Sequence, residues 1–382
     1  MDNELFLRYK AIAIYRNAAE RLLPLARLSV CKDEEERVEL CSSVFSLVVE
    51  AGCDTTGELI EKLVLSDDNA LSRAAARGER ITPRLKAQAE KELLTLKQLS
   101  LIRPDELPCE KTDAFLPKFG YGGGSLSYGK IIKHYLLGGA GVFAGGSTFY
   151  FDGKITPTPL VSCRLSDLKN YAEEKAEIVK NTENFIKGLP AFHTLLYGDR
   201  GTGKSTTVRA LAYEYRDFLK VIEVDKNSLD ALPRLLSMLD GLKQRFIVFI
   251  DDLSFDEDDS RTGGFKAALE GSLYCGNALL YCTSNRRHLI KETDKPTRRN
   301  DDVQAELALF DRFGLVVTYI NPGRDEFLDI FKQIVRSRGI KWRDEYASVA
   351  ELAALKKGGR SPRAAKQIAD LIESNYNGEK GE

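Results

Sequence analysis

Charge of one sign is what this sequence lacks most plainly: 56 Lys and Arg stand against 57 Asp and Glu, a net charge of −1. Without a basic field the chain as a whole is not drawn to nucleic acid or anionic lipid, so any such contact must come from a local patch. Long apolar runs are missing too. No stretch reaches the ~18 to 20 residues that a bilayer span requires, and the most apolar one, 131–150, is broken by Lys133, His134 and repeated glycines. The opening Met1-Asp-Asn-Glu carries acid where a secretory leader carries base, so a soluble, cytoplasmic setting without a membrane span is expected. The seven cysteines form no CxxC pair and have no histidines nearby, which fits reduced thiols and argues against disulfides and zinc. No solenoid-type repeat is present. What remains is 382 residues with 43% hydrophobic side chains, enough for two or three domains with buried cores.

From Leu5 to about Ser100 apolar residues recur at helical spacing, as in Ile12, Ile14, Tyr15, Ala19, Leu22 and Leu23, and Gly and Pro are sparse. Thr82-Pro83 reads as the start of a helix running through Leu99. A helical N-terminal domain over 1–103 follows. Residues 104–160 form a Gly-rich connecting or accessory segment, with Gly120-Tyr-Gly-Gly-Gly124, Gly138-Gly-Ala-Gly141 and Gly145-Gly146. It reads as a linker, a sheet add-on or a substrate-gripping loop, with a hairpin over 149–155 about Asp152-Gly153.

After Leu165 the pattern alternates strand and helix, the mark of a mostly parallel sheet covered on both faces. Strands are predicted at 194–197, 219–224, 246–250, 278–283 and 315–320, with helices at 171–187, 204–215, 229–239 and 264–274. This α/β core occupies 161–322. Beyond Asn321-Pro322-Gly323 the chain turns helical again, which predicts a small all-α lid over 323–382.

The apolar strand Thr194-Leu-Leu-Tyr197 runs directly into Gly198-Asp199-Arg200-Gly201-Thr202-Gly203-Lys204-Ser205, with Thr206 opening a helix-forming run. This is a P-loop in its strand–loop–helix context. Glycines turn backbone N–H groups inward around phosphates, and the helix N-terminus favours the same anion. Lys204 is placed to reach the β- and γ-phosphates of ATP, and the Ser205 hydroxyl to bind Mg²⁺. Phe246-Ile-Val-Phe-Ile250 reads as a buried central strand delivering Asp251 and Asp252 at its C-terminal edge. Asp251 is the candidate for organising the metal and its waters, and Asp252 for polarising the attacking water. Both acids could instead cap a helix. The run Asp256-Glu-Asp-Asp259 reads as a solvated loop.

Together these residues resemble an AAA+ P-loop ATPase. More narrowly, Leu195-Leu-Tyr-Gly-Asp-Arg-Gly-Thr-Gly-Lys-Ser205, Asp251-Asp-Leu-Ser-Phe255, Thr283-Ser-Asn-Arg-Arg-His288 and Asp311-Arg-Phe-Gly314 resemble an uncharacterised bacterial AAA+ family. The likeness covers about Leu165 to the C-terminus. It implies that Asn285 is the sensor-1 residue near the γ-phosphate, Arg312 an arginine finger entering a neighbouring subunit's site, and Arg363 the sensor-2 arginine of the lid. It further implies a homo-oligomer, up to a hexameric ring, acting on a protein client that the sequence does not name. Plainer readings are a turn cap for Asn285, a pair with Asp311 for Arg312 and an exposed helix position for Arg363.

Two positions depart from the commonest pattern. Asp252 stands where most relatives have Glu, so the base is one methylene shorter, although Asp-Asp also occurs in initiator and helicase-loader relatives. Asn170 stands where many have Gly, and the adenine pocket is expected near 166–171. The pairs Arg286-Arg287 and Arg298-Arg299 read as interface residues, phosphate contacts, a small DNA patch or a solvated charged insertion, and His288 as a packing residue. The competing functions are therefore an energy-transducing ATPase, a DNA-acting loader and a slow nucleotide-gated scaffold. A small-molecule kinase fits less well, because the sensor and finger residues belong to a cooperating ring.

Overall fold

The computed structural model describes residues 3–103, 117–255, 261–269, 276–285, 311–356 and 359–378. The chain divides into two units: Met1–Gly146 with Gly241–Gln244, and Ser147–Asp240 with Arg245–Glu382.

Local capping chemistry writes the helices of the first unit. They are α1 (Asn3–Lys10), α2 (Arg16–Arg21), α3 (Leu23–Leu28), α4 (Glu34–Glu50), α5 (Thr56–Leu65), α6 (Ala70–Arg77), α7 (Pro83–Leu99) and α8 (Tyr128–Gly138). Asp33, Thr55, Asn69 and Thr82 each accept a first-turn N–H of the helix that follows, satisfying donors a helix cannot pair internally. Pro83 occupies the first turn of α7, as Thr82-Pro83 predicted. Tyr15, Leu22, Val44, Ile60, Leu71 and Leu96 close the core. Glu92 of α7 is buried yet well served, accepting the backbone N–H groups of Ala13, Ile14 and Tyr15 at 2.9 to 3.2 Å.

The glycine run has a structural role within this unit. Gly120 O accepts from Thr56 N–H at 3.0 Å and Gly122 O from Gly57 N–H at 2.8 Å, so the run caps the start of α5. A Cβ at Gly57 would lie 2.0 Å from Gly122 O, so only glycine admits this approach. Regular structure is also present where glycine obscured it: α8 packs with α6 and ends at Gly139, whose φ is 88°.

The second unit carries a seven-stranded sheet, ordered β2-β1-β4-β5-β6-β3-β7. Its strands are β1 (Thr148–Phe151), β2 (Ile155–Pro157), β3 (Thr194–Gly198), β4 (Leu219–Val224), β5 (Arg245–Ile250), β6 (Ala278–Ser284) and β7 (Leu315–Tyr319). Among the described residues only β1–β2 is antiparallel, the hairpin expected about Asp152-Gly153. β1 then extends the parallel core along β4. Helices α9 (Ala172–Ile186), α10 (Lys204–Glu214), α11 (Leu232–Leu239) and α12 (Arg261–Leu269) connect the strands. β5 and β6 are buried almost throughout, as an apolar run in a sheet covered on both faces must be. Excluding the hairpin, the parallel order β7-β3-β6-β5-β4 with a P-loop after β3 is the AAA+ P-loop fold. Within this unit α13 (Arg324–Ser337), α14 (Glu345–Lys356) and α15 (Pro362–Gly378) form a helical lid around Phe327, Phe331, Ala350 and Ile368.

Lys220 of β4 is buried, with its ammonium 5.6 Å from the centre of the Phe149 ring, and desolvation pulls its pKa from 10.5 to about 8. A lysine held below its unfolded value costs stability wherever it is charged, and the cost fades as pH rises from about 8 towards 10.5. Lys220→Met is therefore expected to stabilise the protein at pH 7 by about 1–3 kcal/mol. Urea denaturation of both proteins from pH 7 to 10 checks this, with the gap expected to narrow as pH rises.

Candidate functional site

Parallel strands bring the site together, because the C-terminal ends of β3, β5 and β6 share one edge of the sheet. Registers of Leu196 with Thr283 and of Ile250 with Cys282 set the P-loop, Asp251-Asp252 and Asn285 side by side. The P-loop leaves β3 through Gly198, whose φ is 133° and whose Cβ would lie 1.9 Å from Tyr319 O. Gly203, at φ 99°, turns the chain into α10. No other residue satisfies both positions.

Lys204 lies inside the loop it follows. Its Nζ donates to Gly198 O at 2.9 Å, Asp199 O at 2.7 Å and Asn285 Oδ1 at 3.1 Å, using all three of its donors. Desolvation lowers its pKa to about 8, offset in part by Asp199, Asp252 and Asp251. A buried cation held by neutral oxygens has much to gain from an anion, and phosphate at the N-terminus of α10 supplies one.

The two acids have different surroundings. Asp251 Oδ1 accepts from Ser205 Oγ and, at 2.7 Å, from Thr283 Oγ1, while Oδ2 lies 3.3 Å from Arg209 Nη2. Asp252 adopts φ 52°, rare for a residue with a side chain, and its N–H donates to Thr283 Oγ1 at 2.7 Å. Its carboxylate accepts from Asn285 Nδ2 and, at 3.1 Å, from Lys226 Nζ. No helix begins within Leu253–Phe255, so neither acid caps one there. A hydroxyl and a carboxylate already in contact are hard oxygen donors of the kind Mg²⁺ takes. Ser205 and Asp251 thus fit the metal the fold implies.

The lid meets the P-loop at the start of α15. Arg363 N–H donates to Gly201 O at 3.1 Å, and a Cβ on Gly201 would lie 2.9 Å from Ser361 Oγ. Asp199 accepts from Asn321 N–H at 2.8 Å, fastening the loop to the segment that enters the lid. On the opposite wall Leu168 adjoins Gly203, and Tyr171, at φ 62°, donates its hydroxyl to Ile320 O at 2.8 Å.

Arg312 lies elsewhere. It precedes β7, whose first residue pairs with Thr194 at the start of β3, whereas the P-loop follows the end of β3. The five-residue strand therefore puts it about 16 Å away, at the opposite edge of the sheet. Asn285 and Arg363 adjoin the P-loop. Residues 286–310, with both arginine pairs and His288, and the acidic run 256–259 lie outside the described residues. Among the described residues no helix is long and apolar enough to cross a membrane.

Sequence reasoning missed Thr283, Arg209 and Lys226. Thr283 had a signal, being a hydroxyl at the end of an apolar strand beside the acids.

A family model described as "Protein of unknown function (DUF815)" matches residues 151–376. A 118-residue stretch is 30% identical to the replication factor C large subunit of Sulfurisphaera tokodaii, spanning 28% of this chain and about a quarter (26%) of that protein. The structure is similar to that of the Thermotoga maritima RuvB Holliday junction branch migration motor at 17% identity and TM-score 0.41, covering 58% of this chain and 67% of that one. It is similar to the FIGL-1 AAA domain in complex with ADP at 18% identity and TM-score 0.38, covering 54% and 71%.

Proposed function

From the premise that this chain belongs to the DUF815 family and folds as an AAA+ P-loop protein, we propose that it binds and hydrolyses ATP. In this reading residues 161–322 and 323–382 are the ATPase core and lid, and the nucleotide state they sense drives assembly and the remodelling of a protein client. The observation that carries the proposal is the convergence of Lys204, Ser205, Asp251, Asp252, Asn285 and Arg363 at one edge of the sheet.

Each residue has a task set by its surroundings. Residues 198–206 cradle the phosphates, and Lys204 leaves its carbonyl partners for the β- and γ-oxygens. Ser205 and Asp251 would hold Mg²⁺, which would offset phosphate charge. Asp252 accepts a hydrogen bond from the attacking water, and Asn285, already touching both Lys204 and Asp252, orients it. Lys226 holds Asp252, so that contact must loosen for the carboxylate to face water. Arg363 couples the lid to the γ-phosphate, and Arg312 completes the site of a second copy in a homo-oligomer.

Asp252→Asn tests the assignment. It preserves shape and removes the base, so turnover is expected to fall about 10²- to 10⁴-fold while ATP affinity stays within a few-fold. Phosphate release and binding of a fluorescent ATP analogue give the two numbers. Wild type that binds ATP without turnover makes this protein a nucleotide-gated scaffold instead.

A further inference from the structure

Arg209 and Glu223 stand beside the proposed metal site, and neither belongs to a P-loop motif. Ser205 and Arg209 are one turn apart on α10 and so share a face. Both contact Asp251, Ser205 at Oδ1 and Arg209 at Oδ2. The same Arg209 nitrogen lies 3.2 and 3.4 Å from the two oxygens of Glu223 on β4, and the guanidinium stands 5.9 Å from the centre of the Phe249 ring. Glu223 pairs with Phe249 in the β4–β5 register, so the sheet itself fixes the carboxylate beneath the arginine.

Arg209 without Glu223 would be costly for cation binding. A guanidinium within 4 Å of the carboxylate that must hold Mg²⁺ cancels the charge the metal needs and repels the metal. Glu223 returns that charge. Arg209 is 41% exposed and Glu223 36%, so as a surface pair they add little to stability.

We propose that Arg209 and Glu223 form a positioning pair for the metal-binding acid. Arg209 holds the outer oxygen of Asp251 so that its inner oxygen faces Ser205, and Glu223 neutralises the guanidinium so that this hold does not weaken Mg²⁺ binding. The inference rests on the proposed Mg·ATP site and adds residues to it.

The test is a Mg²⁺ titration of the affinity for a fluorescent ATP analogue, which needs no turnover, with thermal melting of each variant alongside. Glu223→Gln leaves the arginine unbalanced and is expected to raise the Mg²⁺ midpoint about tenfold, with Mg²⁺-free affinity unchanged. Adding Arg209→Met removes the unbalanced cation but also the hold on Asp251, so the double variant is expected to recover most of the loss and to remain about threefold above the wild-type midpoint. A purely structural pair would make the double variant no better than the single one. An unmoved midpoint in Glu223→Gln, or a double variant as impaired as the single, overturns the proposal while leaving the ATP site standing. Absence of analogue binding by the wild type overturns both.

Discussion

Lys204→Ala is expected to weaken ATP binding about 10²- to 10³-fold and to leave the folded protein intact. Charge-assisted hydrogen bonds are each worth about 1.5–3 kcal/mol, and the lysine is placed to make them to two phosphates. Without nucleotide the same ammonium is buried among neutral oxygens, and desolvation has already lowered its pKa to about 8. Removing it costs contacts to Gly198 O, Asp199 O and Asn285 Oδ1 but also relieves a desolvated charge. The melting temperature without nucleotide should therefore change little, whereas the rise on adding ATP should vanish. Titration with a fluorescent ATP analogue and melting with and without ATP check both halves. Tight binding retained in this variant puts the nucleotide elsewhere and refutes the site.

Where chemistry is local, the sequence was legible. The alternation after Leu165 located β3 to β7 to within a residue or so, because each is an apolar run bounded by turn residues. Gly198 and Gly203 announced their backbone conformations, since both adopt a positive φ that residues with a side chain rarely take, Gly198 against the backbone of Tyr319 as well. The helix start at Thr82-Pro83 is equally local. Long-range pairing was not legible. The glycines at 120–124 resembled a linker because nothing nearby reveals that their carbonyls cap α5, some sixty residues upstream. Within the site the same division holds. Asp251 and Asp252 end a recognisable strand, while Thr283, Arg209 and Lys226 reach them, and Glu223 reaches Arg209, from other strands and helices whose register no spacing encodes. The left-handed backbone of Asp252 was also hidden, because it depends on Thr283 holding its N–H.

Strand polarity determines what Arg312 can do, and it yields the second large effect. An arginine before β7 and a P-loop after β3 lie at opposite ends of two parallel strands, so the side chain does not reach the phosphates of its own chain. If Arg312 stabilises charge on the transferred phosphoryl group, it does so in another subunit. Arg312→Ala is then expected to lower turnover about 10³-fold or more while leaving ATP binding unchanged. Wild-type specific activity should rise with protein concentration as shared sites assemble. Mixing supplies the decisive comparison. Arg312→Ala keeps an intact P-loop and Lys204→Ala keeps an intact finger, so two inactive proteins combined should regain a measurable share of wild-type turnover, in sites that pair one with the other. Normal turnover in Arg312→Ala, together with specific activity independent of concentration, makes each chain a self-contained ATPase and returns Arg312 to the role of a surface residue in the turn before β7.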